Sequence, residues 1–218
     1  MTILKSQLIQ RVNEVFKRNY ALDTTELDDL ITDCCWELSS RANFLHDENI
    51  ASTLTGVDCY SLPKHFKDEL IVGIDGEGLL TFEDFETYKT HTVRATVTGI
   101  PKRYSYERGF VESLQDNVTF LYLRPAPDKD SYIIRLYFAC YHPRSIQIEE
   151  ETIKACDHIL FGDEFTIALQ ELLLWKWADS KNMTQEAMKH LTYAKDQIAN
   201  LRDNIKNHWR FCQYYEFA

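Results

Sequence analysis

Two cysteine–histidine pairs, Cys140-x-His142 and Cys156-x-His158, are the nearest approach to a metal site in this sequence. Four such borderline-soft ligands can hold Zn²⁺ tetrahedrally. Their spacing fits no standard zinc module, and Cys140 sits in an apolar strand pattern. Core cysteines with surface histidines therefore explain the residues better, and neither a metal nor any other cofactor is expected. Cys34-Cys35 fall on a predicted helix, where adjacent side chains point about 100° apart, so they form no ready redox couple. Glu149-Glu150-Glu151 reads as a solvated acidic face. Gly73-Ile-Asp-Gly76-Glu-Gly78 lacks the G-x-G-x-x-G order and does not open a helix, so it reads as a hairpin or loop rather than a phosphate cradle. There is no P-loop, no H-E-x-x-H and no G-x-S-x-G, and the seven histidines are scattered. No catalytic residue is assigned. A carboxylate-based hydrolase working through an Asp/Glu pair stays as the rival reading from another class.

The bulk composition points away from several partners. A chain of 218 residues makes one domain, or one domain with an insert, and needs no disulfide or metal staple. The net charge of −10 disfavours nucleic-acid binding. Lys102-Arg103 with Arg108 is the largest basic group, too small to make a basic face. The six cysteines form no C-x-x-C pair and read as free thiols of a reducing cytoplasm. No signal-peptide pattern opens the sequence. The longest apolar run, Leu136 to Tyr141, is too short to span a bilayer, so no membrane partner is expected.

Periodicity supplies the elements. Leu4, Leu8, Val12 and Val15 share one helical face, with Asn19 and Tyr20 closing the helix. Thr24-Thr25 open a second helix, favoured by Glu26, Asp28 and Asp29 near its N-terminus. Leu27, Leu30, Cys34, Leu38 and Ala42 form its stripe. From about residue 50 the period becomes two. Leu70, Val72 and Ile74 alternate in one run, and Val93, Ala95 and Val97 in another. Val118, Phe120 and Tyr122 alternate with Thr119, Leu121 and Leu123. Tyr132, Ile134, Leu136, Phe138 and Cys140 make the last run. The final two runs flank Arg124-Pro-Ala-Pro-Asp-Lys-Asp130 and read as a hairpin. Apolar residues at the alternate positions imply a sheet covered on both faces. After Gly162, Asp163 caps a helix to about Asp179 that is apolar nearly all round and hence central. Asn182 or Thr184 caps the last helix. Its residues Ala187, Leu191, Ala194, Ile198, Leu201 and Ile205 form a heptad seam. Running to about Arg210, that helix is roughly 40 Å long.

The expected class is α+β: a helical bundle from residues 1–48 and 150–210, with an antiparallel β-rich insert at 49–149. Residues 211–218 form an aromatic tail with no helical period.

The insert carries an ordered set of motifs: Tyr60-Ser-Leu62-Pro63, then Thr98-Gly99-Ile100-Pro101 with Tyr104, then Pro125-Ala-Pro127-Asp128 with Tyr132, and Tyr141-His-Pro143. In this order, flanked by long helices, it resembles the head-to-tail adaptors of tailed bacteriophages, also called connectors or tubular-tail subunits, and the short-tailed phage adaptors most. The resemblance covers residues 60 to 143 by motif and the whole chain by architecture. It implies a closed self-ring, typically of about twelve copies, between the portal protein and the tail or nozzle proteins. It also implies that the ring seals the packaged capsid and that double-stranded DNA passes through its channel without specific binding. Such a protein is assembled in the host cytoplasm and resides in the virion. Another neck ring, such as a tail terminator, is the runner-up.

Each motif also has a local reading. A residue before proline avoids the helical region, which keeps Leu62 and Ile100 extended. Gly99 supplies either a positive φ or a bulge. Pro125 and Pro127 stiffen a hairpin tip. The acidic balance suits a DNA conduit, since a negative wall lets the duplex slide, although many soluble proteins are as acidic. Phe211, Tyr214, Tyr215 and Phe217 either fold back on their own helix or insert into a groove of the portal or of a neighbouring copy. Insertion is preferred, because aromatic anchors dominate interfaces.

Overall fold

The computed structural model describes residues 3–17, 25–92, 97–143, 145–148, 151–154 and 159–215. The chain has an α+β fold and divides into two compact units, Met1–Leu45 with Tyr141–Ala218, and His46–Cys140.

In the first unit, α1 spans Lys5–Phe16 and α2 spans Thr25–Arg41. The α1 stripe is Leu8, Ile9 and Val12. Leu4 precedes the helix and is 57% exposed, so it is not part of the stripe expected from the sequence. The helix stops at Lys17, whose φ of 50° is left-handed, before Asn19 and Tyr20, which lie outside the described residues. In α2 the stripe is Leu27, Ile31, Cys34, Cys35 and Leu38. Leu30 is only half-buried and Ala42 falls past the helix end. The true stripe follows the 3.6 period through Ile31, where the spacing read from the sequence had drifted by one residue.

A short antiparallel pair follows in this unit, β9 (Ser145–Ile148) with β10 (Glu151–Lys154). It takes in one residue of the acidic run; Glu149 and Glu150 lie outside the described residues. A 3-10 turn at Asp163–Phe165 leads into α4, Thr166–Ser180. Asp163 therefore lies inside the turn and is not the cap of α4, whose N-terminus has no side-chain cap bond. α4 packs against α1, α2 and the last helix, α5 (Thr184–Tyr215). Ala168, Leu169, Leu172, Leu173, Leu174, Trp177 and Ala178 are all buried, as its all-round apolar character demands. Phe16 packs on the Trp177 ring, centroids 4.2 Å apart. The turn to α5 uses Asn182 in a left-handed conformation (φ 57°), and α5 starts at Thr184. Of the seam, Ala187, Ala194 and Ile198 are buried, Leu191 and Leu201 half-buried. Ile205 has a helical backbone.

α5 runs from Thr184 to Tyr215, about 48 Å. Phe211 to Tyr215 are thus helical, which corrects the reading of a tail without helical period; Phe217 lies outside the described residues. The missed signal is a spacing. The heptad steps of three and four beyond Ile205 fall on His208 and Cys212, and a histidine followed by a run of aromatic residues hides the repeat in the sequence.

The second unit holds two four-stranded sheets. Strands β1 (His46–Ser52), β3 (Phe66–Ile74), β4 (Gly78–Leu79) and β8 (Ile133–Cys140) form the first, in the order β1-β8-β3-β4. Strands β2 (Cys59–Ser61), β5 (Thr81–Phe82), β6 (Arg103–Val111) and β7 (Asp116–Arg124) form the second, in the order β2-β7-β6-β5. Helix α3, Phe85–Thr92, packs on β6. The two sheets face one another: Phe66 meets the Tyr106 ring edge-on at 5.5 Å. The Tyr104 hydroxyl donates to the Leu70 carbonyl oxygen across the same gap. Leu70, Val72, Ile74, Ile134, Leu136 and Phe138 are buried from the first sheet, as the alternation anticipated. From β7 it is Leu121 and Leu123 that are buried fully.

The hairpin expected across residues 124–132 does not exist. β7 pairs with β6 and β2, while β8 pairs with β1 and β3. The connection is a crossover between sheets. Pro125 and Pro127 have no N–H to donate, so the β7 ladder cannot run on through them. The real hairpin is β6–β7, turned by a 3-10 segment at Glu112–Leu114 and the left-handed Gln115. β6 itself was not read from the sequence, where its residues Arg103, Ser105, Glu107 and Arg108 mask the alternation. Residues 93–96 of the expected strand at 93–97 lie outside the described residues; Val97 is 70% exposed, and Thr98 makes only an isolated bridge to Ala126. The glycine-rich stretch is the β3–β4 turn, with Gly76 and Gly78 at φ 82° and 93°.

Candidate assembly surfaces

The three insert motifs converge in the β unit. Tyr60 is the first brace: its hydroxyl donates to the Val57 carbonyl (2.8 Å) and accepts from Leu54 N–H (3.1 Å), closing the loop before β2. Leu62 is buried and its N–H donates to the Thr119 carbonyl at 2.8 Å. The Pro63 carbonyl accepts from Phe66 N–H at 2.9 Å and turns the chain into β3.

The second and third motifs lie side by side. Gly99 N–H donates to the Ala126 carbonyl at 2.8 Å, and Lys102 N–H to that of Arg124 at 2.8 Å. Gly99 needs neither positive φ nor a bulge. A Cβ there would sit 3.3 Å from Pro125 Cγ, so glycine serves the close approach of two chain segments. Pro101 and Pro127 are buried. The Asp128 carboxylate accepts from the Tyr132 hydroxyl at 2.9 Å, and Asp130 accepts from Thr55 N–H at 2.6 Å, which holds the Asp130 carboxyl below its ordinary range. Burial pushes the Tyr104 hydroxyl up, while burial and then the Asp68 carboxylate push Tyr106 up to about 12. Both stay neutral donors between the sheets. These contacts fix the shape of the unit.

The outer face of the first sheet is different. Register places Ile50, Arg135, Gly73 and Leu79 in one row across β1, β8, β3 and β4. The flanking rows bring Ile133 and Ser52 on one side, and Tyr137, Glu48 and Ile71 on the other. Ile50, Leu79 and Ile133 are 57%, 54% and 42% exposed. Among them the Arg135 guanidinium donates to both Asp75 oxygens (2.6 and 3.1 Å) and to Glu48 (3.1 Å). Arg135 holds the Asp75 carboxyl below its usual range. One cation thus serves two carboxylates, so the face is apolar with an acidic excess.

Among the described residues of the helical unit are two open grooves. One, of about 370 Å³, is lined by Asp33, Trp36, Glu37, Ser40, Arg41 and Lys176. Burial raises the Glu37 pKa, but hydrogen bonds from Arg41 and Lys176 (3.0 Å from Lys176) outweigh it and leave the carboxyl below its usual range. An ionised, paired glutamate makes a poor general acid. The other, of about 720 Å³ between α1 and α4, holds Arg11, Glu14 and Asp163 among neutral amides.

His142 is fully buried and both ring nitrogens are engaged. Leu160 N–H donates to Nε2 at 3.2 Å, so Nε2 is the acceptor and the proton sits on Nδ1, 2.9 Å from the Pro143 carbonyl. The His142 N–H donates to Ser39 Oγ at 2.9 Å, and the ring stacks on Phe161. This histidine joins α2 to the segment before α4 and has no lone pair left for a metal. Burial raises the Cys140 thiol to about 11. Cys156 and His158 lie outside the described residues, and among the described residues no cluster of three or more potential ligands occurs. Nor is any described helix long and apolar enough to cross a membrane. No known protein family matches the sequence. No curated protein matches it either.

Proposed function

We propose that this chain is a structural virion subunit, a head-to-tail adaptor that closes into a ring beneath the portal protein. In this reading the terminal helices clasp one another as a bundle and hold the β unit as an insert. The observation that carries it is the conjunction inside the β unit. The ordered motifs brace the passages from one sheet to the other, and the braced unit presents an exposed face whose apolar residues surround the Arg135 ion pairs. Rigid self-presenting surfaces suit a subunit that must meet its neighbour at one angle. Charge agrees, since a net −10 wall would let duplex DNA pass without holding it through counterion release. Portal, tail or nozzle proteins and further copies of the chain are the partners, and the distal end of α5 is the anchor to the portal or a neighbour.

The test is to mix the purified chain with portal protein and image the particles by cryo-electron microscopy, with light scattering in parallel. Rings seated on the portal are the expected result. Rings seated on tail ends alone would favour a tail terminator. A monomer that ignores the portal and cleaves cell-wall glycans would replace the proposal with a hydrolase.

A further inference from the structure

We infer that the free chain pairs with a second copy of itself through the open edge of β1, antiparallel, with Ile50 facing Ile50 across a two-fold axis. A two-fold contact uses one patch twice, so it differs from the contact that repeats around a ring. The inference therefore goes beyond the ring reading and concerns the chain on its own.

The edge is open along its length. β1 ends its sheet, and among the described residues it pairs with β8 alone. The other end strands, β2, β4 and β5, have three, two and two residues, against seven in β1. In an antiparallel ladder successive residues turn their N–H and C=O groups to opposite sides. Thr53 N–H donates to the Tyr132 carbonyl at 2.9 Å, so in unbroken register the odd residues of β1 serve β8. Glu48, Ile50 and Ser52 thus direct their backbone groups outward. The Glu48 N–H agrees with this, since it donates to the Asp47 carboxylate at 2.9 Å. All three residues are exposed.

Little protects this edge. Folded proteins blunt edge strands with proline, lysine or bulges. β1 reads His-Asp-Glu-Asn-Ile-Ala-Ser, and its register with β8 holds no bulge. Asp47, which also meets His65 Nε2 at 2.7 Å, covers the Glu48 N–H only.

The edge also fits itself, and its charges choose the register. An axis at Glu48 sets two carboxylates directly opposite. An axis at Asn49 leaves Glu48 diagonal to its copy, about 7–8 Å away. An axis at Ala51 runs Glu48 past the end of the strand and sets Ile50 against Ser52. An axis at Ile50 puts Glu48 against Ser52 and about 14 Å along the strand from its copy. It also lets the exposed isoleucines cover one another. About six main-chain bonds then form, two for each facing pair. Like charges opposite one another destabilise a sheet and apolar pairs stabilise it, so the axis falls at Ile50. The two copies' four-stranded sheets join edge to edge.

Position 50 tests the contact because its N–H points away from β8. Ile50→Pro removes that N–H and spares the ladder. Ile50→Lys sets two ammonium groups face to face. Circular dichroism checks that each melts like the parent, and the lysine variant carries the test if the proline variant does not fold. Sedimentation of the chain without portal reads association. Wild type is expected to form a dimer, and each variant to weaken it by roughly tenfold or more. Ile50→Cys treated with glutathione disulfide is expected to give a covalent dimer above the wild-type background. Facing Cα atoms in such a pair lie about 5.5 Å apart, within disulfide reach. Glu48→Cys is expected to give none above background.

A wild-type chain that is monomeric without portal overturns the inference, as does association that both position-50 variants keep. Equal cross-linking by the two thiol variants puts the axis elsewhere and overturns it too. If Leu79→Ser dissociates the pair while the position-50 variants do not, the copies meet through the sheet's outer face and the edge contact fails. Portal-bound rings from a chain that is monomeric when free sink this contact and leave the ring reading standing. A dimer that never joins the portal does the reverse.

Discussion

Two ion pairs between elements of the helical unit are shielded, whereas those on the outer face of the β unit's first sheet are displayed. Lys5 meets Asp28 at 2.7 Å with side chains 18% and 12% exposed, and Lys176 meets Glu37 at 3.0 Å with 22% and 16%. Arg135, Asp75 and Glu48 of the β unit are each about 40% exposed and lie among exposed isoleucines and leucine. Ion pairs that link helices leave one partner charged and unpaired when either is removed, so they specify how the helices meet. Exposed pairs contribute little to stability. The shielded pairs constrain how the helices meet, and under the proposed ring reading the exposed face of the β unit is the part that a partner reads.

The sharpest way to break that comparison is to open a cavity in each core. Trp177→Ala should cost about 3–5 kcal/mol, since the ring is fully buried and packed by Phe16. Phe138→Ala should cost a similar ~3–5 kcal/mol in the β unit, where the ring is 1% exposed and packs on Phe66. Urea melts followed separately by near-ultraviolet dichroism and by amide exchange in each unit provide the check. Each substitution is expected to lower the midpoint of its own unit more than the other's. Equal shifts in both units would mean one cooperative body and remove the division of labour.

The next effect in size lies at His142. His142→Leu keeps the volume but leaves the Leu160 N–H without its acceptor, at a cost of about 1–3 kcal/mol. Thermal melting with and without the substitution measures it. A change below half a unit of that range would mean that the ring's apolar stacking on Phe161, and not its hydrogen bonds, matters to the helical unit.

What the sequence disclosed follows from how each element is buried. α4 was legible because an apolar residue at nearly every position leaves only the central place for it. β8 was legible because Ile134, Leu136 and Phe138 alternate without interruption. The pairing of β7 was not legible. Strand period says which residues face inward but not which strand lies alongside, and the turn-rich 124–130 segment satisfies a hairpin and a crossover equally until its missing N–H groups are weighed. The motif residues were found one by one, yet their mutual bracing, Gly99 against Pro125 or Asp130 against Thr55, depends on contacts between distant parts of the chain. The outer face was missed altogether. Ile50, Leu79 and Ile133 belong to three strands, and only register puts them together.

Acid should distinguish the units by a smaller margin. Glu37 has a depressed pKa in the folded state, so its pairing with Arg41 and Lys176 stabilises the helical unit fully above the unfolded carboxylate range, near pH 4.3. That contribution is lost as the pH falls further, through the folded value. Glu37→Gln should flatten the acid limb of the helical unit's stability curve and leave the β unit's limb as it was. A β unit that responds equally would show that the Glu37 pairing is felt across both.

The smallest expected effect on folding is at the face that the ring reading uses most. Leu79 lies over Gly73 at the end of a two-residue strand and is more than half exposed. Leu79→Ser should change the stability of the β unit by no more than about 0.5 kcal/mol, the usual range for an exposed position. A core residue of the same type costs several times as much. If Leu79→Ser destabilises the unit by 2 kcal/mol or more, the leucine is part of the core and the face is not a free surface. If stability holds and association falls, the residue's contribution lies wholly between copies. That outcome is the one the ring reading expects, because Leu79 is one of several apolar side chains gathered on one exposed face, and such a patch marks a contact surface where a lone exposed leucine would not.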